Sequence, residues 1–282
     1  MMNIEKIVVV GAGQMGAGIA QVAAAHGFAV TLSDVSEAQL DRARNVISDS
    51  AARLQSKGRL SEAQVAGVHR IDLAASLDAV KQCDLVIEAV SEDSLLKQQL
   101  FGQLDALAPP HALLSSNTSS ISITQLGKAT KRAAQVIGMH FFNPVPIMQP
   151  VEVVRGEHTS DETIACIVQL AQTLGKTPVV VKDSPGFISN RVLCPMLNEA
   201  IYALQEGIAT REGIDTIMKL GMNHPMGPLA LADLIGLDTL LAILEVLHRG
   251  FGDDKFAPAP LLRSMVAEGK LGRKAGRGFY EY

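Results

Sequence analysis

Gly11-Ala12-Gly13-Gln14-Met15-Gly16 follows the apolar run Ile7-Val8-Val9-Val10 without a gap, and this junction constrains the fold more than any other stretch. An uninterrupted β-branched run reads as a strand buried on both faces, as in a parallel sheet. From Met15 to about His26 the spacing is helical, with Ile19, Val22 and Ala23 on one face. The glycines therefore fall at a strand-to-helix turn. There the first permits the tight turn, the second lets a pyrophosphate reach the backbone, and the third lets helix and strand pack closely. The helix start adds unpaired N–H groups and a partial positive charge.

A second apolar segment, Phe28 to Leu32, ends in Ser33-Asp34. An acid at that place in a dinucleotide fold hydrogen-bonds the adenosine ribose hydroxyls. A carboxylate there repels a 2′-phosphate, and Val35-Ser36-Glu37 supplies no arginine to offset it, so NAD is expected over NADP. The alternative for Asp34 is a solvated cap on the next helix.

The chain has 282 residues, enough for one large domain or two moderate ones. With 48% hydrophobic residues and a net charge of −4, it can bury a sizeable core and carries no electrostatic footprint for nucleic acid. The longest apolar stretch, Pro228 to Leu247, contains Asp233, Gly236, Asp238 and Glu245. It reads as a buried helix pair or an interface helix, not a membrane span. Cys83, Cys166 and Cys194 show no metal spacing and read as buried thiols in a reducing compartment; no metal is expected. Without a secretory pattern at the start, a cytoplasmic protein is expected.

Strands are predicted at Lys6–Val10, Ala29–Ser33, near His69–Asp72, and at Asp84–Ala89, Leu113–Ser116, Val136–His140, Val151–Val154 and Pro178–Val181. Helices are predicted at Gln14–His26, Glu37–Lys57, Leu95–Leu107 and Thr163–Leu174. The alternation is that of an α/β Rossmann-type doubly wound sheet. Glu37–Lys57 is longer than a crossover requires, and a second helical stretch starts at Ser61, so a helical hairpin projecting from the sheet is expected, with Gly58 ending its first arm. After Asp183-Ser184-Pro185-Gly186 no strand pattern appears. Helical spacing runs over Ile188–Glu206, Arg211–Leu220, Leu229–Leu247 and Pro260–Glu268. Two domains follow: 1–184, dinucleotide-binding, and 185–282, all-helical. A helical block that small and apolar is expected to bury part of its surface against a second copy, as a homodimer.

Ligands of doubly wound sheets bind outside the carboxyl ends of the strands. Hydride transfer from an alcohol to NAD needs a base for the hydroxyl proton, a group to orient that base, and donors to the forming carbonyl. Histidine suits the first role and a carboxylate on its second ring nitrogen suits the next. His140 ends a predicted strand. Glu152, within Val151-Glu152-Val153-Val154, is either edge-exposed or buried with a partner. On spacing alone, His140 also reads as an ordinary hydrogen-bonded residue. His224, before Pro225, reads as a turn residue, and Met196 and Leu197 as core or interface.

Four motifs carry a resemblance. The glycine turn with Asp34, Ser-Asn-Thr-Ser-Ser at 116–120, His-Phe-Phe-Asn-Pro-Val-Pro at 140–146 and Asp-Ser-Pro-Gly-Phe-Ile-Ser-Asn-Arg at 183–191 together resemble the short-chain L-3-hydroxyacyl-CoA dehydrogenases, over essentially the whole chain to Gly272–Tyr280. The resemblance implies an NAD-dependent oxidation of a (3S)-3-hydroxyacyl-CoA. It implies His140 as the catalytic base, Glu152 as its partner, and Ser119 and Asn190 as groups positioning the substrate oxygen and the nicotinamide. Beside Gly11, Gly13, Gln14, Met15, Gly16 and Asp34, it implies cofactor contacts at Glu92, Lys97, Asn117, Ser119, Asn143 and Lys274. Coenzyme A contacts are implied at Ser50, Lys57 and Ser119. Ser50 and Lys57 are seven apart, which puts them on one helix face with Arg53 and Leu54 between them. That face reads equally as a solvated basic surface. Two other classes fit the architecture: a dehydrogenase of small free hydroxy acids, and a non-enzymatic NAD-binding protein.

Overall fold

The computed structural model describes residues 4–282 and divides into two compact units, one running to Ser184 and the other covering Pro185–Tyr282. The first unit is built on an eight-stranded sheet: β1 (Lys6–Val10), β2 (Ala29–Ser33), β3 (Asp72–Ala74), β4 (Leu85–Glu88), β5 (Leu113–Ser116), β6 (Val136–Phe141), β7 (Pro150–Arg155) and β8 (Thr177–Lys182). In space they lie in the order β3-β2-β1-β4-β5-β6-β7-β8. Strands β1 to β6 are mutually parallel, β7 runs antiparallel to β6, and β8 is parallel to β7. The reversal has a simple cause. Only residues 142–149 join β6 to β7, too few for the crossover that a parallel neighbour demands. A doubly wound sheet is what the sequence pattern predicts; the antiparallel step is an addition to it.

The helices of this unit are α1 (Gln14–Ala25), α2 (Glu37–Ser56), α3 (Glu62–Val68), α4 (Ser94–Leu107), α5 (Ile123–Lys128) and α6 (Asp161–Thr173). Ser36, Ser61, Asp93, Ser122 and Ser160 each accept an N–H of the first turn of the helix they precede, so five of the six starts are fixed by a local side chain. The helical hairpin is α2 and α3, with Gly58 at φ 66° closing the first arm. Leu40, Ala43, Ile47 and Ala51 of α2 join the core formed by β1, β2 and α1. The third strand starts three residues later than predicted, because α3 and its capping box carry the chain to His69. The short α5 has too few residues for its period to show in the sequence.

The second unit is built of helices, α7 (Ser189–Gln205), α8 (Arg211–Gly221), α9 (Pro228–Ile235), α10 (Leu237–Phe251) and α11 (Pro260–Ala267), with isolated β-bridges joining Gly272 to Arg277 and Arg277 to Glu281 at its end. The helical run predicted over Leu229–Leu247 is broken into α9 and α10 at Gly236, whose φ of 100° no helix accommodates. Leu197, Ile201, Leu240, Leu244 and Leu247 form its core. Two buried aspartates fasten the chain end. Asp233 accepts the Phe279 and Tyr280 N–H groups and the Tyr282 hydroxyl. Asp215 accepts the Leu229 and Ala230 N–H groups and the Tyr280 hydroxyl.

Cys83 and Cys194 are buried, and burial pushes their thiols up to about 11 and about 12; Cys166, expected to be buried, is half-buried. Among the described residues no helix is long and apolar enough to cross a membrane, and no cluster of side chains could hold a metal ion.

The glycine turn makes a stability prediction. A methyl on Gly16 would overlap the Gly11 carbonyl oxygen, whereas one on Gly13 would meet nothing within 4 Å. Gly16→Ala should lower the thermal midpoint by about 5 °C, the cost of overpacking in a domain of this size. Gly13→Ala should move it by no more than about 2 °C. Calorimetry of the two variants side by side checks the assignment.

Candidate active site

The site grows from the carboxyl ends of β1, β4, β5 and β6. At β1, the Gly11 N–H donates to the Ser33 carbonyl at 2.7 Å, and a Cβ on Gly11 would lie 2.5 Å from the Ala89 carbonyl oxygen. No side chain fits there. Gly13 is the N-cap of α1 and makes no side-chain cap, so the first-turn N–H groups of Gln14, Met15 and Gly16 lack helical partners. Open space before Gly13 and donors behind it fit a dinucleotide pyrophosphate. Asp34 closes the turn: its Oδ2 accepts the Ala12 N–H at 2.8 Å and its Oδ1 the Ser36 N–H at 2.9 Å. Helix α2 itself is capped by Ser36, so Asp34 is not the helix cap. Gln14 and Asn143 meet, the Gln14 amide donating to Asn143 Oδ1 at 3.1 Å. Asn117 Oδ1 accepts the Phe141 N–H at 2.9 Å and so joins the end of β5 to the end of β6.

Beneath the 116–120 loop, buried Lys97 and Glu88 and the 36% exposed Glu92 form a cluster that spacing alone does not reveal. Lys97, expected as a cofactor contact, is 1% exposed, and its ammonium stands 2.9 Å from Glu88 and 3.0 Å from Glu92. Glu88, wholly buried at the end of β4, also accepts the Ser116 hydroxyl at 2.5 Å and the Val90 N–H at 2.7 Å. Glu88 was missed in the sequence reading; the sign was an acid closing the apolar run Leu85-Val86-Ile87. Glu92 Oε1 accepts the Thr118 hydroxyl at 2.6 Å and the N–H groups of Ser119 and Ser120, each at 3.0 Å. Burial alone would raise the Glu92 carboxyl; the Lys97 charge and these donors outweigh it and hold it below its ordinary 4.5. Ser119 therefore rides on a loop whose shape Glu92 sets.

His140 and Glu152 are register partners across β6 and β7 and share one face of the sheet. The imidazole Nδ1 lies 2.6 Å from Glu152 Oε2, with the histidine side chain 12% exposed and the glutamate 3%. Of the two placements left open for Glu152, burial with a partner is the one found. With Glu152 ionised, Nδ1 carries the proton and Nε2 is the basic nitrogen. The Phe142 ring tilts against the imidazole, centroids 5.0 Å apart.

Ser50, Arg53 and Lys57 lie along the partly exposed to exposed side of α2, with Lys57 as its C-cap. On the Leu54 side of that helix opens a cavity of about 560 Å³ lined by Gln21, Leu54, Arg59, Leu60, Ile147 and Lys176, among others, and by no acidic residue. In the second unit, Asn190 lies in the first turn of α7, its N–H donating to the Gly186 carbonyl at 3.1 Å. Arg191 beside it stacks 3.7 Å above the Phe251 ring. Lys274, expected as a cofactor contact, donates to Asp238 at 2.7 Å.

Residues 6–184 match the NAD binding domain of 3-hydroxyacyl-CoA dehydrogenase, and residues 186–282 match its C-terminal domain. The chain belongs to the 3-hydroxyacyl-CoA dehydrogenase family. It is 57% identical over 277 residues to a probable 3-hydroxybutyryl-CoA dehydrogenase of Deinococcus radiodurans, covering 98% of this chain and all of that one. It is 53% identical over 282 residues to a Bacillus subtilis protein of the same description, covering all of this chain and 98% of the relative. The crystal structure of (S)-3-hydroxybutyryl-CoA dehydrogenase from Ralstonia eutropha superposes with a TM-score of 0.96 at 51% identity, covering 99% of each chain.

The Glu92 contacts predict an acid signature. Its carboxyl titrates lower when folded than when unfolded, so the stability it contributes is complete above about pH 5 and declines as pH falls through the lowered value. The stability gap between the parent and Glu92→Gln should therefore stay constant from pH 7 to about pH 5 and narrow below pH 4.5. Urea titrations across that range measure it.

Proposed function

We propose that the protein oxidises a (3S)-3-hydroxyacyl-CoA, with 3-hydroxybutyryl-CoA as the preferred length, to the 3-oxoacyl-CoA, and catalyses the reverse reduction. The observation that carries this reading is the His140–Glu152 bond, set at the end of a sheet whose first turn fits a dinucleotide. Bound NAD supplies the acceptor for the hydride leaving C3. His140 Nε2 takes the hydroxyl proton, and Glu152 holds the ring in that tautomer and stabilises the imidazolium. Ser119 and Asn190 donate to the forming carbonyl oxygen and align it with the nicotinamide.

The N–H groups of Gln14 to Gly16 take the pyrophosphate and Asp34 the adenosine ribose; a carboxylate there disfavours NADP. Asn143, Asn117 and Lys274 complete the cofactor contacts. Lys97 acts through Glu92, which shapes the loop that meets the nicotinamide end. The coenzyme A portion lies against Ser50 and Lys57. The neighbouring acid-free cavity with Arg59 suits its phosphates, and the apolar Leu54, Leu60 and Ile147 suit its pantetheine arm. The helical unit serves as the dimerisation domain; Ile208, Ile217, Leu220 and Met222 are apolar side chains it leaves exposed. A cytoplasmic location fits this chemistry.

The decisive assay follows NADH absorbance with 3-oxobutanoyl-CoA. His140→Gln should lower kcat by about 10²–10⁴-fold while NADH affinity stays within about twofold. Glu152→Gln should lower kcat more than it weakens NADH binding. Near-full turnover in the histidine variant refutes the mechanism. Lys57→Ala should raise KM for the CoA thioester several-fold at unchanged kcat, as expected for an interaction equal in ground and transition states. Equal turnover of free 3-hydroxybutyrate and its CoA thioester would instead mark a dehydrogenase of free hydroxy acids.

A further inference from the structure

Lys176 is a buried lysine with no role in the mechanism above. It is 9% exposed, and among the described residues no carboxylate pairs with it. Burial pulls its ammonium below the usual lysine range. A methionine or leucine would fill that place more cheaply, so the cost requires a return. The return is visible in its bonds. Nζ donates to the Val145 carbonyl at 2.5 Å and to the Met148 carbonyl at 2.8 Å. Both carbonyls belong to residues 142–149, the connection between the strand bearing His140 and the strand bearing Glu152.

That connection has little else to hold it. Asn143, Pro144, Ile147, Met148 and Gln149 are exposed, and Val145 alone is buried, its side chain set against Gly18 of α1. Its inner turn is closed by the Ile147 and Met148 N–H groups, each donating to the Pro144 carbonyl at 3.0 Å. Beside Lys176, the Thr177 N–H donates to the Gln149 carbonyl at 2.9 Å and starts β8. An ammonium reaching two carbonyls three residues apart fixes this segment on either side of its single buried apolar anchor, Val145. It thereby fixes Asn143 against Gln14 at the head of α1.

We infer that Lys176 is a positioning residue for the dehydrogenase reaction: its ammonium clamps the 142–149 connection and so holds Asn143 and the ends of the His140 and Glu152 strands in place. Lys176 also lines the cavity beside α2, so the clamp joins the wall of the coenzyme A region to the catalytic pair. The kinetic part rests on the proposed function; the clamp itself does not.

The test is Lys176→Met, read in two ways. Hydrogen exchange on the ligand-free protein should show faster exchange at the Ile147 and Met148 amides, with β1 and β4 unchanged. Leaving two carbonyls without their donor should lower kcat about tenfold or more. The same factor should appear with 3-oxobutanoyl-CoA and with S-3-oxobutanoyl-N-acetylcysteamine, which lacks the nucleotide and most of the pantetheine. Leu170→Ala, a core truncation in α6, controls for general destabilisation and should keep kcat within twofold below its melting range. Unchanged loop exchange overturns the clamp. A kcat within twofold of the parent overturns the positioning role. A loss confined to KM for the CoA thioester also overturns it, making Lys176 a direct substrate contact. Should the methionine variant not fold, Lys176→Gln, which keeps a donor but lacks the reach for both carbonyls, takes its place with the same outcomes. If the parent turns over neither thioester, the proposed function fails while the exchange measurement still decides the clamp.

Discussion

The meeting of His140 and Glu152 depends on the reversal between β6 and β7. A parallel neighbour would have needed a crossover helix, and its side chains would have met β6 in a different register. With only residues 142–149 to make the return, the strands pair antiparallel and set residue 140 opposite residue 152 on one face. Directly opposed side chains in such a ladder stand close enough for an imidazole and a carboxylate to bond without strain on either strand. The pair is thus a property of the sheet, and its rigidity is that of the backbone ladder on both sides of it, since β7 is flanked by β6 and β8.

Burial then decides which charges can be used. Glu152 is 3% exposed and bonds to His140, so the imidazole faces a carboxyl group that is already desolvated. A second group, the buried Lys97–Glu88 pair with the 36% exposed Glu92 at its edge, is arranged differently. Two carboxylates share one ammonium, and the remaining carboxylate oxygens are taken by hydroxyls and N–H groups of the 116–120 loop. Breaking a buried pair of this kind by removing one partner is costly because the other charge is left behind. The loop's shape is accordingly tied to a network that cannot relax one member at a time.

Much of this is legible in the sequence, for physical reasons that differ from residue to residue. The strand-turn-helix at Ile7–Ala25 is readable because a strand buried on both faces leaves an unbroken apolar run, helical spacing follows it, and Gly11 and Gly16 occupy places where a Cβ has no room. The break near Ser184 was readable because strand-like runs stop there. His140 with Glu152 was only half readable: an acid in a run of valines is conspicuous, but its pairing follows from a strand reversal that periodicity does not encode. Glu88 and Lys176 were not legible at all as partners. Lys97 finds Glu88 nine positions away, and Lys176 finds Val145 across 31 residues, separations that no local pattern signals. Gly236 is an intermediate case: the apolar stretch Pro228–Leu247 reads as a helix pair or as one interface helix, and the positive φ at Gly236 makes it the pair.

Gly13 and Lys176 illustrate one principle from two directions. At Gly13 the chain keeps a space open, with nothing within 4 Å of a notional Cβ, and surrounds it with donors that helix geometry leaves unpaired. At Lys176 it fills a space with a charge that burial disfavours and two backbone carbonyls hold. Neither is what packing alone selects, since a close-packed interior favours filled space and paired charge. Departures of this kind from what stability alone would select are where function is concentrated, because the cost is sustained only when something else depends on it. In this chain Gly13 heads α1 and Lys176 bonds the 142–149 connection, and those two segments meet through the Gln14–Asn143 bond. The head of α1 and the 142–149 connection are therefore best regarded as one functional surface, held from one side by the glycine turn and from the other by a buried ammonium.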